Sequence, residues 1–88
     1  EFIQSLSDLE EMDSQESLST ALGRLLNSKA QKQYDSARVW LVIRNASPRW
    51  QADDFKRCIA HFQMPENPFE QIWLLPEFDG SQIPIQIF

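Results

Sequence analysis

The sequence predicts an α/β (or α+β) domain, with two N-terminal helices followed by a strand–helix–strand–strand unit. Two observations carry this prediction. Apolar residues recur at helical spacing in separate segments, and two continuous apolar runs and one alternating run are typical of strands. A strand–helix–strand connection within one sheet is right-handed and parallel, and a hairpin signal then adds an antiparallel strand. The expected sheet is therefore small, mixed and three-stranded.

Residues 1–12 are predicted to be an acidic N-terminal arm or a short amphipathic helix. So acidic a segment is only marginally stable as an isolated helix. Residues 13–88 are predicted to form one small α/β domain, because a chain of 88 residues has the size of a single domain. The apolar residues of the first segment recur at every third position, at Ile3, Leu6, Leu9 and Met12.

The clearest helix of the chain follows a capping signature. Asp13 is the predicted N-cap, with Glu16 three residues further on. Gly23 either weakens this helix by up to about 1 kcal/mol or allows another element to approach closely. The apolar stripe consists of Leu18, Ala21, Leu22, Leu25, Leu26, Ala30 and Tyr34.

The run at residues 38–44 is β-branched and aromatic without alternation, which predicts a strand buried on both faces. In a three-stranded sheet this strand would be an edge. Either the N-terminal segment covers that edge, or the natural partner strands lie upstream of the chain.

A second helix is predicted after Ser47-Pro48, with Asp53 and Asp54 in its first turn, where the helix dipole favours acids. Its apolar stripe consists of Ala52, Phe55, Cys58, Ile59 and Phe62.

The C-terminal third is predicted to be a hairpin. Residues 69–75 contain a continuous apolar strand, residues 78–81 carry a turn signal, and residues 82–88 alternate. Pro84 restricts the last strand to an edge.

Charge is unevenly distributed along the chain. Residues 1–17 carry six acids and no base, residues 18–62 carry all eight bases against three acids, and residues 63–88 carry four acids and no base. Such asymmetry marks either a partner-binding face or an acidic segment that lies over a basic one within the fold. The net charge of −5 favours the second interpretation, because free nucleic-acid binders are usually basic.

The turn after the first predicted strand is the candidate binding site. In open α/β sheets, ligands bind outside the carboxyl ends of strands, and Arg and Trp are enriched at interaction hot spots. The alternative is that the tryptophan caps the core and the arginines are merely solvated. The residues of this candidate site are Arg44, Asn45, Ser47, Arg49 and Trp50.

The residues that could support catalysis or metal binding have structural interpretations. Cys58 lies within an apolar stripe, three residues from His61, and one His without further ligands cannot build a zinc site. Ser47 has no flanking nucleophile-elbow glycines, and two glycines cannot form a phosphate-binding loop. We therefore expect no catalytic residue, no metal and no cofactor.

The progression of residues 29–34, 38–43, 47–48 and 69–75 resembles the later half of restriction-endonuclease-like, PD-(D/E)XK proteins, in which a helix ending in Lys and Tyr leads into a strand–helix–strand. The resemblance covers roughly residues 17–78 and implies nucleic-acid contact, with Lys29 and Lys32 as phosphate contacts. Such proteins carry their metal-binding acids upstream on a hairpin. The chain has no Pro-Asp pair, and its one Asp-x-Lys, at residues 54–56, falls on a predicted helix. The resemblance therefore implies a catalytically inert segment.

We expect a non-catalytic interaction or regulatory module, excised from a larger intracellular protein and located in the cytoplasm. One cysteine fits a reducing compartment, and the sequence contains no apolar run long enough to span a bilayer. The expected partner is a protein or another domain of the parent chain. The alternative is a nuclease-like segment that contacts nucleic acid through its basic middle segment, residues 18–62.

Overall fold

The part of the chain that the structure describes folds as two helices packed on one face of a four-stranded mixed sheet. The computed structural model describes residues 2–34, 38–77 and 83–88. The elements in chain order are β1 (Phe2–Leu9), α1 (Leu18–Ala30), β2 (Arg38–Asn45), α2 (Ala52–His61), β3 (Gln71–Leu75) and β4 (Ile85–Gln86).

The sheet has the strand order β1-β2-β3-β4, in which β1, β2 and β3 are parallel and β4 is antiparallel to β3. The α/β class is confirmed, but the prediction of three strands after two helices was wrong in this detail. Successive right-handed crossovers in one direction place both connecting helices on the same face of a sheet. One core forms between them: Leu9, Leu18, Ala21, Leu22, Leu26, Val39, Leu41, Ile43, Trp50, Phe55, Phe69, Ile72 and Leu74.

The N-terminal segment is a strand, not an arm or a short helix. Residues 2–9 pair in unbroken parallel register with β2. The spacing of Leu6 and Leu9 suits a helix, but β2 offers the backbone of this segment a complete hydrogen-bond ladder, and tertiary pairing overrides weak local propensity. Of the two explanations for the buried character of β2, coverage of its edge by the N-terminal segment is confirmed.

Helix α1 begins at Leu18, so the predicted cap at Asp13 was wrong. Ser17 is the N-cap, and its hydroxyl accepts a hydrogen bond from the Thr20 backbone. Asp13 instead accepts from the backbone of Gln15 in a local turn. The apolar stripe is confirmed as core-facing through its buried members Leu18, Ala21, Leu22 and Leu26.

Helix α2 is confirmed, with its first turn stabilised by an acid. The Asp54 carboxylate accepts a 2.8 Å hydrogen bond from the backbone N–H of Gln51, the N-cap residue. The buried aromatic ring of Phe55 meets that of Trp50 edge-on at 6.3 Å. This contact ties the helix to the turn after β2.

The last strand is shorter than predicted. β4 contains two residues and lies at the sheet edge, as the proline before it predicted. The turn signal at residues 78–81 lies outside the described residues. Across residues 2–34, 38–77 and 83–88, neither helix is long and apolar enough to cross a membrane.

Candidate interaction surface

The two faces of the sheet have different surroundings. Along β2, Val39, Leu41 and Ile43 are buried in the core, whereas the intervening Trp40 and Val42 are only half-buried. The prediction of a strand buried on both faces was therefore wrong for the second face. Among the described elements, no helix or strand packs across that face.

We call this uncovered side of the sheet the outer face. It is apolar at its centre, where it forms a shallow concave surface that encloses a volume of about 300 Å³. Leu6 on β1 is 60% exposed beside it. The residues lining the concave surface are Gln4, Trp40, Val42, Trp73, Leu75 and Pro84.

The two tryptophans of the outer face have their single polar atoms occupied within the fold. The Trp73 indole N–H donates a 2.7 Å hydrogen bond to the side-chain oxygen of Gln71. The Trp40 indole N–H lies 3.4 Å from a carboxylate oxygen of Glu70. The rings are thus held in place with their apolar surfaces on the sheet, which suits them to contact an apolar partner.

Ion pairs flank the apolar centre at both ends of β2. Arg38 pairs with Glu70 at 3.1 Å, and Arg44 pairs with Asp8 at 2.9 Å. Hydrogen bonds from Arg38 and then from Trp40 lower the pKa of Glu70, and the bond to Glu70 raises the pKa of Arg38. The rim is charged, but each of these two arginines is matched by a carboxylate.

The predicted site at the turn after β2 is largely internal. Asn45, Ser47 and Trp50 are buried, at 1%, 1% and 6% exposure, and only Arg44 and Arg49 are exposed. The Asn45 amide donates to the carbonyls of Trp50 and of Pro76, both at 2.9 Å, and its oxygen accepts from the Ser47 backbone. These contacts favour the structural interpretation of the three buried residues. A binding role for the turn stays a prediction that now concerns its two arginines.

The acidic loop after β1 is held by basic residues of the middle segment. The Arg49 guanidinium donates to the carbonyls of Ser14 and Glu16, at 2.7 and 3.1 Å. Arg24 forms an ion pair with Glu16 at 3.0 Å, and this hydrogen-bonded contact is the main reason that the pKa of Glu16 is lowered. Acidic residues therefore do lie over basic ones within the fold.

The two lysines predicted to contact phosphate lie at the C-terminal end of α1 and just beyond it. Lys29 is half-buried and Lys32 is exposed. The pKa of Lys29 is lowered, first through its side-chain contact with Lys32 and then by burial. Their role as phosphate contacts stays a prediction.

Neither Cys58 nor Ser47 is arranged as a nucleophile. Burial is the largest influence on Cys58 and raises the pKa of its thiol, which disfavours the reactive thiolate. The Ser47 hydroxyl donates a 2.7 Å hydrogen bond to Glu11 and accepts one from the Arg49 backbone. In the part of the chain that the structure describes, no three acidic, His or Cys side chains are grouped so as to hold a metal ion.

The outer face itself was not predicted from the sequence. Its signal was present in the alternation of Trp40 and Val42 with the core residues of β2, and of Trp73 and Leu75 with those of β3. Because both alternating sets are apolar, the pattern looks continuous and the less buried face is hidden.

Comparison with protein-family models, with curated proteins and with solved structures gave no match to this chain.

Proposed function

We propose that this chain is a non-catalytic interaction module that binds a protein partner through the outer face. The observation that carries the proposal is the uncovered apolar centre of the sheet, with Trp40 and Trp73 on adjacent strands. Apolar patches of this kind, rimmed by polar residues, are typical of interaction sites. Tryptophan is among the residues most enriched at binding hot spots.

The charges near the outer face favour a protein over a nucleic acid. Nucleic-acid affinity depends on Lys and Arg side chains that neutralise phosphates. Here Arg38 and Arg44 pair with carboxylates, and the whole chain carries a net charge of −5. The alternative function is nucleic-acid contact through the basic middle segment. It would depend on other bases such as Lys29 and Lys32, or would require Arg38 and Arg44 to exchange their carboxylate partners for phosphates.

The surroundings of the Ser47 hydroxyl and the Cys58 thiol support the non-catalytic part of the proposal. Ser47 is buried and its hydroxyl hydrogen is committed to Glu11. Cys58 has a thiol whose pKa is raised. Catalysis by either residue would need the opposite environment, with access to substrate and a favoured anionic or activated form.

The first test is site-specific photocrosslinking in cells that naturally produce the chain. A photoreactive amino acid replaces Leu75 on the outer face, and a matched control places it at Arg57, whose side chain is 73% exposed on α2. We expect a discrete protein adduct from position 75 that is absent from position 57. The same adducts from both positions, or none from position 75, would contradict the proposal.

The second test uses that partner in purified form. Because Trp73 lies at the centre of the contact, we expect Trp73→Ala to weaken binding at least about 30-fold, the scale of a hot spot. Lys56→Ala on the helix side is the matched control and should leave the affinity unchanged. Binding that is indifferent to Trp73→Ala would exclude the outer face. Binding to a labelled single-stranded oligonucleotide that falls steeply with added salt would support the nucleic-acid alternative instead.

A further inference from the structure

β1 is an edge strand of the sheet, and its backbone is hydrogen-bonded on one side only, to β2. No other strand within residues 2–34, 38–77 and 83–88 pairs with its second edge. The strand is eight residues long and its register with β2 is unbroken. It therefore presents a long, regular free edge.

One hydrogen bond shows which residues of β1 direct their backbone groups to the free edge. The Leu9 carbonyl accepts from the Ala46 backbone N–H at 2.8 Å, so Leu9 directs its backbone groups toward β2. Backbone groups of successive strand residues point to opposite edges. The N–H and C=O groups of Gln4, Leu6 and Asp8 therefore point away from the sheet at its free edge.

The two edge strands of the sheet, β1 and β4, are protected differently against pairing with a further strand. β4 is two residues long and is preceded by Pro84, a residue that limits strand addition. β1 has no proline, no lysine and no bulge. An edge strand without such protection is a template for pairing with another strand.

We propose that β1 pairs antiparallel with β1 of a second copy of this chain, about a two-fold axis at Ser5. In this register Gln4 lies opposite Leu6 of the second copy, and each facing pair of this kind exchanges two backbone hydrogen bonds. A two-fold interface uses the same strand on both sides and leaves neither β1 edge free, so assembly stops at the dimer. The result is one eight-stranded sheet. This inference does not depend on the proposed function of the outer face.

The charges on β1 favour this antiparallel arrangement. Asp8 is the acid of the strand, and the two copies of Asp8 would lie six residues apart along the paired strands, roughly 20 Å. That separation exceeds the screening length of about 8 Å at physiological ionic strength. Each Asp8 also remains paired with its own Arg44. Parallel pairing would instead place the two acids side by side.

Pairing would also shelter Leu6, which is 60% exposed in the single chain. Its diagonal neighbour across the new strand pair is Leu6 of the second copy, at a distance that side chains can bridge. Because the axis is perpendicular to the sheet, both outer faces would lie on the same side of the dimer.

The test is the oligomeric state of the full chain by sedimentation velocity, from about 5 to about 500 µM. We expect a dimer of the 10.3 kDa chain. Leu6→Pro removes an N–H that points to the free edge and none that bonds β2, so we expect it to raise the dissociation constant by about tenfold or more. Leu6→Thr keeps that N–H and controls for the lost side chain, and Trp73→Ala on the outer face should leave the dimer intact.

A crosslink tests the register independently of the proline variant. Facing residues in a non-hydrogen-bonded pair have Cα atoms about 4.5 Å apart, which permits a disulfide. In a Cys58→Ser background, Ser5→Cys should oxidise to a covalent dimer, whereas Ser7→Cys, whose copies lie about 13 Å apart, should not. A wild-type monomer at the highest concentration, a dimer unaffected by a folded Leu6→Pro variant, or the absence of the Ser5→Cys crosslink would each overturn the proposal.

Discussion

The side-chain amide of Asn45, at the end of β2, donates a 2.9 Å hydrogen bond to the backbone carbonyl of Pro76, just after β3. The bond joins the carboxyl ends of two parallel strands beneath the surface. Asn45 is 1% exposed, so water cannot replace the contact. The residue therefore organises the end of the sheet at which the sequence predicted a binding site.

Asn45→Ala should lower the free energy of unfolding by about 2–4 kcal/mol, because it leaves the Trp50 and Pro76 carbonyls and the Ser47 N–H without their partner. Urea denaturation measures this change. Asn27→Ala, at an exposed position of α1, is the control and should shift stability by about 0.5 kcal/mol or less. Equal effects of the two substitutions would show that the buried amide network contributes nothing specific.

Trp50→Ala distinguishes the two interpretations of the turn after β2. Trp50 is 6% exposed and meets Phe55 edge-on, so its removal should cost about 3–5 kcal/mol. A thermal melt should show a large drop in melting temperature. A stable Trp50→Ala variant that had instead lost binding to a partner would restore Trp50 as a recognition residue.

Glu16 should make the stability of the fold sensitive to acid. Its pKa lies below the usual 4.5, first because Arg24 hydrogen-bonds the carboxylate and next because the Met12 backbone does. The ionised form is the stabilising one, so its contribution is present above pH 4.5 and is lost as the pH falls through the lowered pKa. Glu16→Gln should therefore reduce the loss of stability between about pH 6 and about pH 3.

Urea denaturation at a series of pH values measures this effect. In an Arg24→Gln background the largest cause of the shift is absent, so Glu16→Gln should change the acid dependence less. An identical change in both backgrounds would mean that Arg24 does not act through Glu16.

Gly23→Ala should stabilise the protein. A Cβ atom at Gly23 would meet nothing within 4 Å, so the prediction that this glycine allows another element to approach is not supported. Alanine in a helix interior is favoured over glycine by about 0.5–1 kcal/mol. The melting temperature should rise accordingly, while Gly23→Val, which loses rotamer freedom in a helix, should give a smaller gain. A lower melting temperature for the alanine variant would indicate a hidden contact at this position.

The segments whose signal is local were predictable. The stripe of α1 as far as Ala30, the stripe of α2, the apolar runs of β2 and β3 and the acids in the first turn of α2 formed where their spacing placed them. Tyr34, the last member of the predicted first stripe, lies beyond the end of α1. Each of these features depends on the 3.6-residue or two-residue period of one segment, or on the dipole of one helix. No knowledge of a neighbouring element was needed.

The identity of β1, the exposure of the outer face and the burial of the predicted turn site were decided only by the tertiary structure. Residues 2–9 form a strand because β2 provides hydrogen-bond partners for their backbone. Trp40 and Trp73 were left half-buried because both helices pack on the opposite face. Asn45 is internal because the backbone just after β3, at Pro76, lies beside it. Each outcome depends on which elements meet in space, and the spacing of residues within a single segment carries no information about that.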